Sequence, residues 1–185
     1  GYNKVQVYQE RIEKPINVKF DLSGTAKGGI VDFIRDFLKE KGYNNFLINA
    51  GGDIFASGTN LKSNKWKIAI QDPIDKNKYS GVIEKRDTAI VTSGDYERFF
   101  MKNGIKYCHL FNPKTGYPGS DITSVTILAK STAYADAIAT AIFVMGSKKG
   151  YNFLIKNQID GYIIFKVNDQ MESINTPKFW DWLIQ

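Results

Sequence analysis

Residues 20–42 limit the fold of this chain more than any other segment. A short apolar approach runs into Asp21-Leu22-Ser23-Gly24-Thr25-Ala26-Lys27-Gly28-Gly29, and a helix over 29–41 follows. Ile30, Ile34, Phe37 and Leu38 recur on it at helical spacing, so one face needs cover and places Ile34 and Phe37 in the core. Gly42 after Lys39-Glu40-Lys41 is the expected stop, with cations facing the negative end of the helix dipole. Strands are expected over 5–8, 46–49, 53–57, 66–71, 81–83 and 88–92, the last running into Ser93-Gly94-Asp95-Tyr96. Two strands over 97–101 and 105–111 flank Asn103-Gly104, a two-residue hairpin signal because both turn positions need positive φ. A strand over 121–128, an alanine-rich helix over 131–145 ended by Gly146, and a short helix over 150–157 come next. A hairpin of 162–166 and 170–174 turns at Asn168-Asp169, and Thr176-Pro177 opens a last short helix holding Phe179, Trp180 and Trp182. Irregular interleaving of mostly antiparallel strands with helices predicts one α+β domain, with Ile138 and Phe143 buried on the second helix.

The 185 residues suffice for one domain with a real core. The formal charge of +6 is spread over single lysines rather than gathered in a stripe, which argues against a nucleic-acid surface. Cys108 stands alone, so neither an intrachain disulfide nor a cysteine zinc site can form. No segment reads as a signal peptide or as the roughly 18–20 apolar residues of a membrane span.

Five segments can carry chemistry. Asp136-Ala137-Ile138-Ala139-Thr140 sets a carboxylate and a hydroxyl one turn apart on a helix, an oxygen-only pair suited to Mg²⁺. A helix-start Asp and a Thr bonded back to its own backbone are the bland alternative. Asp21 to Gly29 and Asn49-Ala50-Gly51-Gly52-Asp53 are glycine-rich turns that could cradle phosphate, with Lys27 as a mobile charge. Neither matches Gly-x-x-x-x-Gly-Lys-Ser/Thr or Gly-x-Gly-x-x-Gly, so ordinary tight turns stay open. Thr92-Ser93-Gly94-Asp95-Tyr96 could bind a heterocycle or a sugar, or simply turn the chain. His109, the only histidine, precedes a loop pinned by Pro113 and Pro118 and is a candidate general base or a packed residue.

In order, these segments resemble the FAD:protein FMN transferase (ApbE) family. Asp21-Leu22-Ser23-Gly24-Thr25-Ala26-Lys27-Gly28 is similar to its Asp-Leu-Gly-Gly-Ile-Ala-Lys-Gly, with Ser23 and Thr25 as the departures. Asn49 to Asp53 and Thr92 to Tyr96 look like its next two motifs. His109 to Pro118 is similar to its His-x-x-[Asp/Asn]-Pro-[Lys/Arg]-Thr-Gly-x-Pro, and Ala135 to Ala141 to its Ala-Asp-Ala-x-Ala-Thr-Ala helix. The resemblance implies a T-fold-type α+β domain of which residues 1–185 form the C-terminal two thirds, without the family's usual N-terminal segment. It implies an enzyme that cleaves FAD, attaches FMN to a Thr or Ser of an acceptor protein and releases AMP. FAD hydrolysis to FMN and AMP, or flavin binding without turnover, are the alternatives. Mg²⁺ would be held by Asp136, Thr140 and the carbonyl of Ala26. His109 would be the base, while Lys27, Asp53, Ser93, Gly94, Asp95 and Thr115 would line the FAD site. An extracytoplasmic, membrane-anchored bacterial lipoprotein is the expected setting.

Overall fold

In the computed structural model the described chain excludes residues 1, 97–98, 104, 119–120, 169, 181–182 and 185. A 3-10 turn at Tyr2–Lys4 precedes a two-stranded ribbon, β1 (Gln6–Val7) and β2 (Ile12–Glu13). Helix α1 (Ala26–Glu40) leads to β3 (Phe46–Ala50), β4 (Asp53–Ser57), β5 (Trp66–Gln71), β6 (Tyr79–Lys85) and β7 (Thr88–Gly94). A second ribbon, β8 (Phe99–Lys102) and β9 (Ile105–Cys108), is followed by β10 (Ile122–Ala129). Helices α2 (Thr132–Met145) and α3 (Ser147–Lys156), strands β11 (Asp160–Val167) and β12 (Gln170–Asn175), helix α4 (Pro177–Trp180) and β13 (Leu183–Ile184) complete the chain.

Six strands in the order β12-β11-β10-β7-β4-β3, every pair antiparallel, form the central sheet. A smaller sheet, β13-β6-β5, is separate. Side chains alternate along each strand, so the large sheet carries two cores. Phe55, Val91, Val125, Ile127 and Ile163 pack with Val31, Ala139, Ile142 and Leu154 of the helices. Ala56, Ile90 and Leu128 pack on the other face with Ile68, Ile70, Ile83 and Phe179. The result is three layers, helices on sheet on sheet, and β10 is buried from Ile122 to Leu128 because both faces are covered. No helix among the described residues is long and apolar enough to cross a membrane.

The α+β architecture holds, and Phe143 is buried with Ile138 half-buried against the same core. The expected face of α1 does not hold. Ile30 is 60% exposed, Phe33 73%, Ile34 37% and Phe37 49%. The inward stripe is Gly28 and Val31, continued by half-buried Arg35 and Leu38. Polar bonding sets this rotation. Asp32 accepts hydrogen bonds from the backbone N–H of Thr132 (2.8 Å) and Ala133 (3.0 Å) and from the Ser131 hydroxyl (2.7 Å). It thereby caps α2 from a neighbouring helix, with Ser131 serving the N–H of Tyr134. Arg35 pairs with Asp32 at 2.6 Å and lies over the Phe55 ring. Helix α1 also starts at Ala26, ahead of the expected 29, because the Leu22 carbonyl takes the N–H groups of Thr25 and Ala26. The Gly42 stop is as expected: its φ is +85°, and Tyr43 N–H reaches the Leu38 carbonyl.

At the two hairpin turns, Asn103 and Asn168 take positive φ, while Gly104 and Asp169 lie outside the described residues, as does Trp182. Helix α3 starts at Ser147 rather than 150, since Asp121 accepts its N–H at 2.9 Å and its hydroxyl. The β1–β2 pairing was not foreseen; residues 11–14 carry little strand pattern.

Candidate active site

The site forms where the start of α1 crosses α2. Gly28 N–H donates to the Asp136 carboxylate at 3.0 Å, and the Thr25 hydroxyl donates to the Ala133 carbonyl at 3.1 Å. A Cβ on Gly28 would stand 2.5 Å from the Thr132 carbonyl oxygen, so only glycine permits this approach. A Cβ on Gly24 would lie 3.3 Å from Thr140 Cγ2, which places the Thr140 side chain against the same loop. Asp136 and Thr140 thus share one face of α2, and Ala26 sits in the turn that crosses it. Asp136 is buried, Thr140 half-buried and Ala26 exposed.

Beneath this turn lies Asp53. It opens β4 opposite Val91 of β7, on the helix-facing side of the sheet. Its carboxylate is fully buried and forms an ion pair with Lys27 at 3.0 Å; Lys27 Nζ also donates to the Gly51 carbonyl at 3.1 Å. The Asp53 carboxyl is pushed up to about 7, chiefly by burial and also by the neighbouring Asp136, against the downward pull of Lys27. Its oxygens have no conventional hydrogen-bond partner, so Lys27 supplies compensation by charge. The segment Asn49 to Asp53 is a two-residue hairpin turn: Ala50 pairs with Asp53, and Gly51 and Gly52 take φ of +58° and +94°. The Asn49 side chain accepts the Gly52 N–H at 3.0 Å. This turn rims a cleft of about 430 Å³ between β4, β7 and β5, walled by Ile54, Ile68, Ile90 and Tyr96 and edged by Thr92 and Lys76.

Farther along β7, Ser93 and Gly94 pair with Val125 and Ser124 of β10. Asp95 follows, half-buried and ion-paired with Lys106 of β9 at 3.0 Å. That contact ties the end of β7 to the strand leading into His109. Cys108 and Leu110 are buried in the helix-side core, so His109 between them is exposed. The loop after it is organised by Asn112 rather than by the prolines alone. Asn112 accepts N–H groups of Lys114, Thr115 and Gly116, and its own N–H goes to the Tyr117 carbonyl. Thr115 is exposed at its tip, and Gly116 takes φ +73°.

The sequence named Ala26, Lys27, Asp53, Ser93, Gly94, Asp95, His109, Thr115, Asp136 and Thr140, but not Lys106 or the cleft residues Ile54, Ile68 and Lys76. It missed Asp32, whose signal as a cap exists only once α1 and α2 are adjacent. The resemblance puts Asp53 among the residues lining an FAD site; in the fold its side chain is 1% exposed and ion-paired with Lys27. Among the described residues no three His, Cys, Asp or Glu side chains gather into a metal cluster. One carboxylate, a hydroxyl and a main-chain carbonyl are instead the available donors, and they suit a hard cation that keeps waters.

A family model described as ApbE family matches residues 1–163. The chain belongs to the ApbE family. A "FAD:protein FMN transferase" of Vibrio cholerae is 38% identical over 165 residues, 88% of this chain and 49% of the relative. A protein of the same name from Haemophilus influenzae is 34% identical over 165 residues, 88% of this chain and 48% of its own. Among solved structures, the flavin transferase ApbE from Vibrio cholerae superposes with a TM-score of 0.89 at 34% identity, covering 99% of this chain and 59% of that one. The ApbE protein from Thermotoga maritima gives 0.89 at 31% identity, over 100% and 60%. This ApbE-family chain therefore spans about half the length of the curated relatives it matches.

Proposed function

We propose that this chain carries the catalytic portion of an FAD:protein FMN transferase: it cleaves FAD and directs FMN to a Thr or Ser hydroxyl of an acceptor protein, with AMP released. The observation that carries the proposal is the convergence of the Gly24–Gly28 turn, Lys27 and the Asp136/Thr140 face at one point. Asp136, Thr140 and the Ala26 carbonyl would hold Mg²⁺, and the fit rests on their oxygen-only chemistry where the start of α1 meets α2. Bound there, Mg²⁺ would neutralise charge on pyrophosphate oxygens as a Lewis acid.

The remaining roles fall to the chain's own groups. Lys27 offers a point charge beside the Gly51-Gly52 turn, where the phosphates would pass. The apolar-walled cleft next to that turn has the size and lining to take a ring system. Ser93, Gly94 and Asp95 flank the path between cleft and His109, with Thr115 in the loop beyond. His109 is exposed, so an acceptor hydroxyl can reach it and give up its proton to the imidazole as it attacks. Reading residues 1–185 as the C-terminal part of the family domain belongs to the same proposal and rests on the order of the family-like motifs. An extracytoplasmic, lipid-anchored setting belongs to the same proposal and rests on family resemblance alone.

The test is incubation of the chain with FAD, Mg²⁺ and candidate acceptors, read by mass spectrometry of the acceptor and chromatography of nucleotides. Acceptor mass increased by FMN with AMP released supports transfer. FMN and AMP without an acceptor adduct would identify hydrolysis instead, and intact FAD would refute both.

A further inference from the structure

Asp53 is the one buried charge near the site that the proposed chemistry leaves without a task. Its side chain is 1% exposed, whereas that of Lys27 is 40% exposed. Three groups fix the lysine: the Asp53 carboxylate at 3.0 Å, the Gly51 carbonyl at 3.1 Å, and its own place in the first turn of α1. A free lysine side chain has rotamer entropy to lose before it can hold a ligand oxygen. Here that loss is taken in advance, by a partner that the fold itself buries.

We infer that Asp53 is a positioning residue: it holds the Lys27 ammonium at the rim formed by the Gly51-Gly52 turn, so that Lys27 meets an anionic phosphate already oriented. The inference rests on the reading of the site as an FAD site and assigns Asp53 no contact with FAD. The topology favours this division of labour. Asp53 opens β4 at the foot of the hairpin whose tip supplies Gly51, so one two-residue turn sets both partners of the lysine. Lys27 itself comes from α1, so the contact also fastens the helix start to the sheet. The rival role, support of Asp136 from behind, makes a different prediction, since it does not pass through Lys27.

A double-mutant cycle separates these cases. FAD binding to the full chain is measured by flavin fluorescence for wild type, Asp53→Asn, Lys27→Met and the double variant, with melting temperatures on the same samples. Lys27→Met and Asp53→Asn are each expected to raise the Kd for FAD by about tenfold, the scale of one charge-assisted hydrogen bond. The double variant is expected to bind no worse than Lys27→Met, because Asp53 has nothing left to position. Multiplied effects in the double variant would overturn the inference, as would unchanged FAD affinity in Lys27→Met. An Asp53→Asn effect on the Mg²⁺ requirement that persists in the Lys27→Met background would assign Asp53 to Asp136 and also overturn it. If Asp53→Asn does not fold, Asp53→Ser runs the same cycle with space for a water. Absence of FAD binding in the wild type would sink the functional reading itself, a result distinct from binding that is present but additive.

Discussion

At the scale of single residues, Asp136 and His109 carry the most exposed expectations. Asp136→Ala should abolish Mg²⁺-dependent FAD cleavage, because removing the one anionic donor of a partly buried hard-cation site costs several kcal/mol, about 3–5 for a broken buried ionic contact. Thr140→Ala should be milder, since a neutral hydroxyl binds a divalent ion less strongly. Mg²⁺ titration of cleavage rates checks both, and unchanged Mg²⁺ dependence in Asp136→Ala would remove it from the ligand set. His109→Ala should slow transfer to an acceptor by roughly 10²–10⁴-fold, the range for loss of a general base. FAD affinity and melting temperature should stay close to wild type, since the imidazole is exposed and outside the Lys27–Asp136 cluster. A packed structural histidine would show the reverse pattern.

Between elements, the decisive contact is the α1–α2 crossing. Gly28→Ala should destabilise the protein by about 1–3 kcal/mol, as overpacking does, since the added methyl meets main chain rather than a movable side chain. Denaturant melts check this, and Gly29→Ala, where a Cβ meets nothing within 4 Å, is the control. Asp32→Ala should cost about 1–2 kcal/mol through loss of the α2 cap. Burial pushes the Asp32 carboxyl up, but hydrogen bonds from Ala133, Ser131 and Thr132 outweigh it and leave it below the usual carboxylate range. The folded state therefore holds this proton more weakly than the unfolded chain. Its contribution is complete above the unfolded pKa of about 4 and is lost as pH falls through the lower folded value. Wild type and Asp32→Ala should thus converge in stability in acid and diverge at neutral pH. A constant gap across that range would show that the carboxylate charge does not matter.

For the molecule as a whole, three layers leave β10 and β7 enclosed on both faces, while the β1–β2 and β8–β9 ribbons stand outside the main sheet. Amide exchange should be slowest in β10 and β7 and fastest in the two ribbons, because opening the centre requires global unfolding. Fast exchange in β10 would contradict the layered core. The layering also explains the placement of the site. The helix layer brings Asp136 and Thr140 over one end of the sheet, and the β3–β4 turn and the end of β7 lie at that region. The cleft opens toward the smaller sheet on the opposite side of the same turn.

Local sequence alone determined a good deal. Turn chemistry set Gly42, Gly51-Gly52 and Gly146 at positive φ, and helical spacing put Asp136 and Thr140 on one face. Alternation located β4 and β5 to the residue, and ordered motifs marked the family. These properties depend on neighbours within a few positions, so they can be read without the fold. Tertiary structure decided which face of α1 turns inward, because a stripe of Ile30, Ile34 and Phe37 is equally helical whichever side is covered. Gly28 against Thr132 and Asp32 on the start of α2 fixed that choice across about a hundred residues of chain. The same long-range packing buried Asp53 against Lys27 of α1. A motif names the residue types that meet at a site, but the layer each enters is set by contacts between segments far apart in sequence.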